Sequence, residues 1–116
     1  MKLSIIALYV KDYEKSLYFY NTLLGLPVSH RQPGHGGTEL VFLGEKGNVS
    51  IELIPIPPES YTGFSLGFDV ENLAEAKKHL TENGYPVEDE MAINPQTTIC
   101  FLDGPNGEKI ELIERK

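Results

Sequence analysis

Large apolar residues recur at every second position in two separate stretches of this chain. The apolar positions are Ile6, Leu8 and Val10 in the first stretch, and Phe64, Leu66, Phe68 and Val70 in the second. A period of two over such a stretch is typical of a β-strand that buries one of its faces. The pattern therefore predicts two strands of the same kind.

A helix is predicted directly after each of these strands. Asp12 and Asn72 stand where an N-cap side chain would accept a hydrogen bond from an unpaired backbone N–H group. Apolar residues then follow at helical spacing, namely Tyr13, Leu17, Tyr20 and Leu24 in the first case, and Leu73, Ala76 and Leu80 in the second. Gly25 and Gly84 stand at the helix ends, where the chain needs a residue that adopts positive φ.

Three β-rich stretches follow each predicted helix. They cover about 27–33, 38–44 and 48–54, and then 86–93, 97–103 and 108–114. The proline-containing segment 55–63 separates the two sets. The predicted fold class is α+β, with two βαβββ modules in tandem in one domain of residues 1–116. Module 1 covers 1–55, the linker 55–63, and module 2 63–116.

The same short sequences occur in both modules. Phe42-Leu43 recurs as Phe101-Leu102, 59 residues later. At the same offset Ile-Glu-Leu-Ile recurs, at 51–54 and 110–113, and so does Gly-X-Pro-Val, at 25–28 and 84–87. The first strands match at an offset of 60, as 6–10 and 66–70. Four blocks in one order indicate an internal duplication.

Composition narrows the possible functions. With 116 residues, of which 41% are hydrophobic and 23% charged, the chain is long enough to bury one core. A net charge of −7 with no basic cluster argues against nucleic acid as a partner. No segment has the length of a membrane span. The single Cys100 excludes an internal disulfide and is expected to be a buried structural thiol. We expect a cytoplasmic protein.

The order of these motifs resembles the vicinal-oxygen-chelate superfamily, which includes glyoxalase I, bleomycin-resistance proteins and extradiol dioxygenases. The similarity rests on Val-Lys-Asp at 10–12, Phe19-Tyr20 and Leu-Gly-Leu at 24–26, and the C-terminal run Gly-Pro-Asn-Gly-Glu-Lys-Ile-Glu-Leu-Ile-Glu at 104–114. The resemblance implies that the sheets form a cupped, barrel-like mixed sheet around a pocket, with the helices outside. It also implies a homodimer, or closure of the cup within one chain.

Alternation then assigns side chains to the two faces of each sheet. Residues such as Leu8, Val10 and Leu53 are expected under a helix, so that their neighbours in sequence face the pocket. From the pocket-facing set we expect seven residues to contact a ligand: Ile5, Tyr9, Glu52, Ser65, Asp69, Lys109 and Glu111.

The resemblance also implies a metal site, to which each module supplies a histidine from its first strand and a glutamate from its last. Glu52 and Glu111 occupy the glutamate positions, whereas the histidine positions hold Ile5 and Ser65. Isoleucine cannot bind a metal, and a neutral serine hydroxyl is a poor ligand for zinc or nickel. The sequence therefore does not support the standard chemistry of glyoxalase I.

Four alternatives remain open for the two carboxylates. They could hold a hard divalent cation such as magnesium, together with water. His30 or His35 could replace the missing imidazoles. Without a metal, the carboxylates could hydrogen-bond an organic ligand, with Lys109 as counter-ion and with one carboxyl pKa raised. Finally, they could lie solvated at the mouth of the pocket without a role.

Two main functional hypotheses follow. In the first, the protein binds a small organic molecule in the cup and has a degenerate metal site. In the second, it is a divalent-metal-dependent lyase or isomerase resembling glyoxalase I, with Glu52 and Glu111 as metal ligands and one of them as the catalytic base. A third possibility, a structural dimer whose pocket has no role, explains the fewest features.

Overall fold

The structure is a computed structural model that describes residues 1–57, 63–105 and 107–116. Its strands are β1 (Lys2–Val10), β2 (Val28–Pro33), β3 (Glu39–Leu43), β4 (Ser50–Pro55), β5 (Gly63–Asp69), β6 (Met91–Asn94), β7 (Thr97–Asp103) and β8 (Lys109–Arg115). Its helices are α1 (Tyr13–Leu17), which continues as a π-helical segment (Tyr18–Leu23), and α2 (Leu73–Glu82). A short 3₁₀ turn covers His35–Gly37. Of the predicted linker 55–63, residues 58–62 lie outside the described residues.

The chain divides into two compact units. The first unit is Ile5–Phe64, and the second is Met1–Ser4 together with Ser65–Lys116. In the first unit the strands lie in the order β2-β3-β4-β1, and in the second in the order β6-β7-β8-β5. In each unit the first strand pairs in parallel with the last, and the remaining pairs are antiparallel. The predicted α+β class and the βαβββ order of both modules are confirmed.

Both predicted N-caps are confirmed. Asp12 accepts a hydrogen bond from the backbone N–H of Lys15 at 3.0 Å, and Asn72 accepts one from Glu75 at 3.0 Å. The carboxylate of Glu114 also accepts the N–H of Leu73, at 2.8 Å, so that two side chains serve the start of α2. Because each cap satisfies an otherwise orphaned donor, it stabilises its helix by roughly 1 kcal/mol.

The first helix differs from the prediction in its second half. Instead of a continuous α-helix to Leu24, the chain widens into π geometry, and the N–H of Leu24 bonds to the carbonyl of Phe19 at 2.9 Å. Six residues are too few for apolar spacing to distinguish the two kinds of helix. Both helices then reach a glycine in the predicted positive-φ conformation, Gly25 at 77° and Gly84 at 92°.

Each unit has its own core between its helix and one face of its sheet. The first core consists of Val10, Val41, Leu43 and Leu53, and is packed by side chains that include Leu8, Ile51, Tyr13, Leu17 and Tyr20. The second consists of Val70, Leu73, Ala76, Cys100, Leu102 and Leu112, packed by side chains that include Phe68, Leu80 and Ile110. The prediction of which strand residues lie under a helix is therefore confirmed for Leu8, Val10 and Leu53 and for their counterparts in the second unit. It is wrong for Phe64 at the start of β5, which is 54% exposed.

Strand β6 is shorter than predicted. The pattern indicated a strand over 86–93, but β6 begins only at Met91. Before it, Val87 forms an isolated bridge with Leu102 and the N–H of Glu88 bonds to the carbonyl of Phe101. Pro86 has no N–H for a ladder, and the acidic residues 88–90 have low strand propensity.

Cys100 is fully buried, with 0% of its surface exposed. Burial raises the pKa of its thiol to about 11, so the thiol stays protonated near neutral pH. The prediction of a buried structural thiol is thus confirmed. Among the described residues, no helix is both long enough and apolar enough to cross a membrane.

Candidate functional site

Each sheet has a face opposite its helix, which we call the far face. In the first unit Glu52 lies on this face in register with Ala7 on β1 and with Phe42 on β3. In the second unit Glu111 lies in register with Gly67 on β5 and Phe101 on β7. The two units therefore repeat one row of residue types, with a carboxylate between a small residue and a phenylalanine.

Two basic residues share the far face with Glu111 because they lie an even number of positions from it along β8. The Nζ of Lys109 is 3.1 Å from a carboxylate oxygen of Asp103 and 3.8 Å from one of Glu88. Arg115 forms an ion pair with Asp69. Both of these cations therefore have other carboxylates as direct partners.

The carboxylate of Asp69 has two polar partners within the second unit. Besides the ion pair with Arg115, its carboxylate accepts a hydrogen bond from the hydroxyl of Ser4 at 3.1 Å. A cleft of about 750 Å³ lies beside this pair at the start of α2, and its lining includes Asp69, Arg115, Glu71 and Asn72 but not Glu111. We therefore do not place the candidate chemistry in this cleft.

Glu111 is half-buried, and its carboxyl has no direct partner among the described residues. Burial raises the pKa of its carboxyl, and the charge of Arg115 lowers it in part. Within the described part of the chain, the side chain of Glu111 makes no hydrogen bond or ion pair, although its backbone belongs to β8. In the same part of the chain, every fully buried side-chain oxygen or nitrogen has a hydrogen-bond partner. Since the carboxyl oxygens of Glu111 have none, they must retain some access to solvent. A group in this state can exchange a proton and can hydrogen-bond a ligand.

The row of Glu52 in the first unit continues to a histidine. His30 on β2 lies in register with Phe42, and the two rings are 5.6 Å apart between centroids. The Nε2 of His30 is 3.0 Å from the side-chain oxygen of Gln32. Since neighbouring strands are about 4.8 Å apart, His30 is roughly 10 Å from the strand of Glu52, with Phe42 between them. This arrangement does not favour His30 as a replacement ligand beside Glu52.

The seven predicted ligand-contacting residues divide between the two units. Ile5, Tyr9 and Glu52 lie in the first, with Ile5 in register with Ser50 and Tyr9 with Ile54. Ser65, Asp69, Lys109 and Glu111 lie in the second, where Ser65 is in register with Lys109 and only 6% exposed. Within the second unit, the structure brings Lys109, Glu111 and Asp69 to one face. Their contact with a ligand remains a prediction.

The donor set does not fit a zinc or nickel ion. The two positions where metal-binding relatives are expected to carry histidine hold the alkyl side chain of Ile5 and the buried hydroxyl of Ser65. In residues 1–57, 63–105 and 107–116, no three histidine, cysteine, aspartate or glutamate side chains come together as a metal site would require. His35 is exposed in the 3₁₀ turn.

Two neighbours of Glu111 did not figure among the predicted site residues. Phe101 lies beside it on β7, and Arg115 lies four positions further along β8. The period of two that placed Lys109 and Glu111 on one face also reaches Arg115. Phe101 could be assigned only when the register between β7 and β8 was known.

Comparison with known proteins identifies relatives over almost the whole chain. The model of the Glyoxalase/Bleomycin resistance protein/Dioxygenase superfamily matches residues 2–112. Lactoylglutathione lyase from Salmonella typhimurium is 32% identical over 128 aligned positions, which cover 100% of this chain and 94% of the lyase.

Solved structures share the fold. A hypothetical protein from Bacillus halodurans C-125 matches with a TM-score of 0.80 and 24% identity, over 99% of this chain and 94% of that protein. Methylmalonyl-CoA epimerase from Mycobacterium tuberculosis matches with a TM-score of 0.76 and 22% identity, over 99% of this chain and 88% of the epimerase. At these identities the likeness concerns the fold alone.

Proposed function

We propose, from the premise that this chain belongs to the glyoxalase/bleomycin resistance protein/dioxygenase superfamily, that it binds a small organic molecule on the far face of its sheet. The principal polar contact would be Glu111. The observation that carries the proposal is the position of this carboxyl. It is half-buried on the far face between Gly67 and Phe101, its pKa is raised by burial, and it has no side-chain hydrogen-bond partner in the described residues.

The surroundings of Glu111 favour a neutral or cationic ligand. A carboxyl with a raised pKa offers both a donor and an acceptor when protonated, and a strong acceptor when ionised. The nearby cations of Lys109 and Arg115 already pair with Asp103 and Asp69, so they are poorly placed to bind an anion. The net charge of −7 also disfavours an anionic ligand.

The ring of Phe101 supports a ligand with an apolar or aromatic part. It lies in register with Glu111 on one side, while Gly67 on the other side adds no side chain. An apolar wall with one convergent polar group is the usual arrangement of a small-molecule site. The equivalent row of Glu52, Phe42 and Ala7 supports a second contact of the same kind in the first unit.

A divalent-metal-dependent lyase or isomerase is the second candidate. It is favoured by the 32% identity to lactoylglutathione lyase along the whole chain, and by the two glutamates at the family's ligand positions. The side chains of Ile5 and Ser65 argue against this function, because they stand at the two positions where the metal site of the family would need histidine. We therefore derive no metal-dependent step.

Metal titration separates the two candidates. Chelator-free protein would be titrated with manganese, nickel, zinc and magnesium by calorimetry. It would then be incubated with a hemithioacetal of glutathione and an α-oxo aldehyde, and formation of the thioester would be followed. We expect neither stoichiometric metal nor turnover. Stoichiometric metal that is lost in a Glu52→Gln/Glu111→Gln variant, accompanied by turnover, would replace the binding proposal with the lyase.

Ligand binding is tested directly with Glu111→Gln. A panel of neutral and amine-bearing aromatic compounds would be screened by ¹H–¹⁵N NMR. For any compound that shifts Phe101 and Gly67, we expect the variant to weaken binding of the amine-bearing members most, because it cannot ionise. Glu82→Gln, at an exposed position of α2, removes the same charge and serves as the control. If no compound shifts these residues, the proposal fails.

A homodimer and a cytoplasmic location are further parts of the proposal. The single reduced cysteine is consistent with the cytoplasm, and small symmetric proteins most often form two-fold dimers. Sedimentation equilibrium of tag-free protein would test the dimer, and a monomer at all concentrations would contradict it.

A further inference from the structure

The second unit contains a cavity on the helix side of its sheet, away from Glu111. Its volume is about 430 Å³, within the roughly 300–1,000 Å³ typical of small-molecule pockets. The lining residues are Met1, Leu66, Phe68, Leu80, Tyr85, Leu102, Gly104, Pro105, Glu108 and Ile110. The end of α2 and the strands β5, β7 and β8 therefore supply most of its wall.

The two units fill the space between helix and sheet with different side chains. The helix of the first unit packs its core with Tyr13 and Tyr20, whose counterparts at the offset of 60 are Leu73 and Leu80. An aromatic side chain buries roughly 150–250 Å². The helix of the second unit therefore lacks these two rings. This unit has rings at other positions of the same face, Phe68 and Tyr85, where the first unit has leucines, and Phe68 remains partly exposed to solvent.

The chemistry of the lining is almost uniformly apolar. Glu108 carries the one charged side chain among the described lining residues, and Tyr85 adds a hydroxyl. The carboxylate of Glu108 lies over Gly104, where even a methyl group would collide with it. No lysine or arginine side chain lies in the described lining, so its side chains offer no cation to hold a carboxylate or phosphate head group.

We propose that this cavity is a second binding site, which takes a neutral aromatic or branched aliphatic molecule. The ligand displaces water from the partly exposed Leu66, Phe68 and Leu80, and each Å² of apolar surface so covered contributes about 25 cal/mol. The site lies on the opposite side of the sheet from Glu111, so it does not depend on the function proposed for that residue.

A fluorescence titration tests the proposal with N-phenyl-1-naphthylamine, a neutral aromatic probe. Tag-free protein is required because Met1 is part of the lining. We expect saturable binding of one probe per chain. The variant Leu80→Tyr places in the cavity the ring that the first unit carries at Tyr20. Because this ring takes up the space of the probe, we expect it to weaken binding by about tenfold or more, the size of other losses of apolar contact in a pocket.

Leu23→Tyr is the matched control, because it adds the same ring at an exposed position of the first unit. It should leave probe binding unchanged. Should Leu80→Tyr fail to fold by circular dichroism, Tyr85→Leu serves instead. This change introduces leucine, the residue that the first unit has at the equivalent position 26. It removes an aromatic ring from the lining, so it should also weaken binding of the probe.

Residue-specific NMR shifts decide between this site and the alternatives. Shifts at Leu66, Leu80 and Ile110, retained in Glu111→Gln, support the proposal. Shifts confined to Phe101 and Gly67, or unaltered affinity in the folded Leu80→Tyr or Tyr85→Leu variant, overturn it. It is equally overturned if the probe dissociates a dimer in sedimentation, because a second copy of the chain would then cover the cavity.

Discussion

The two units have sheets of the same topology, but the helices that pack on those sheets differ. In the first, α1 and its π-helical continuation place Tyr13, Leu17 and Tyr20 against the core. In the second, a regular helix of ten residues offers the smaller Leu73, Ala76 and Leu80. The rows Ala7–Glu52–Phe42 and Gly67–Glu111–Phe101 are nevertheless alike. The two units therefore keep this row on the far face and the sheet residues of the core, and they differ most in the helix residues that cover the core.

The polar networks of the two units differ as well. In the first unit, the hydroxyl of Tyr13 donates to Glu39 at 2.8 Å, and Arg31 pairs with the same carboxylate at 2.6 Å. The second unit has a leucine at the equivalent of Tyr13, and its ion pairs lie on the far face around Glu111. The first unit thus places its polar contacts at the helix, and the second unit near the candidate site.

The largest expected effect tests whether the two cores are equivalent. Leu53 and Leu112 are matching residues with 0% and 1% exposure, and each lies under its unit's helix. We expect Leu53→Ala and Leu112→Ala each to lower the free energy of unfolding by about 2–5 kcal/mol, because each leaves a cavity in a packed core. Urea denaturation measures both. A loss below about 1 kcal/mol in only one variant would show that the cores are not equivalent.

The contact between Tyr13 and Glu39 gives a smaller effect, confined to the first unit. Tyr13→Phe should lower the free energy of unfolding by about 0.5–1.5 kcal/mol at neutral pH, because it removes one hydrogen bond. Burial and the contact with Glu39 raise the pKa of Tyr13 to about 12 from 10.0. The hydroxyl therefore ionises more readily in the unfolded chain, and its stabilisation is lost as pH rises from 10.0 towards 12.

Unfolding of the wild type and the Phe variant between pH 8 and 11 would show this dependence. The difference in stability between the two should shrink at the alkaline end. If the difference stays constant across that range, the hydroxyl of Tyr13 is not held by Glu39 in the folded protein.

The smallest expected effect concerns the carboxyl of Glu111, whose folded pKa is raised by burial. At low pH this carboxyl is protonated in both the folded and the unfolded protein, so its contribution to the free energy of unfolding resembles that of glutamine. Above the ordinary value of 4.5 the unfolded chain ionises first, so the wild type loses stability as pH rises through the raised folded value. Glu111→Gln should therefore be more stable than wild type at neutral pH, with no such gain near pH 4.

Arg115→Gln sharpens this test because the charge of Arg115 lowers the pKa of Glu111 in part. In ¹³C NMR titration we expect Glu111 to titrate at higher pH in this variant than in the wild type. Lys46→Gln, at an exposed position of the first unit, controls for the loss of one positive charge. An unchanged or lowered titration midpoint would mean that Arg115 does not act on this carboxyl.

Much of the fold could be predicted from local chemistry. Asp12 and Asn72 cap their helices, and Gly25 and Gly84 have positive φ, because these properties depend on a few neighbouring residues. The π-helical segment and the late start of β6 could not be predicted with the same accuracy. They depend on which backbone groups find partners, and several arrangements suit the same apolar pattern.

For the candidate site, the sequence placed Glu111 and Lys109 on one face but gave no information on their partners. That Asp103 pairs with Lys109 and that Asp69 pairs with Arg115 follows from strand register. The role of Lys109 as counter-ion to Glu111 stays a prediction, and so does its contact with a ligand. In the structure, the Nζ of Lys109 lies beside the carboxylates of Asp103 and Glu88.

The sequence by itself determined the duplication, the α+β class, the faces of the strands and the positions of Glu52 and Glu111. These follow from periodicity and from chemistry within a few residues, which every conformation of the chain shares. Only the tertiary structure decided that Glu111 is half-buried with no direct side-chain partner among the described residues, and that a cavity remains under α2. Burial and unfilled volume arise from residues distant in sequence, since they depend on how side chains from several strands and a helix fill one space.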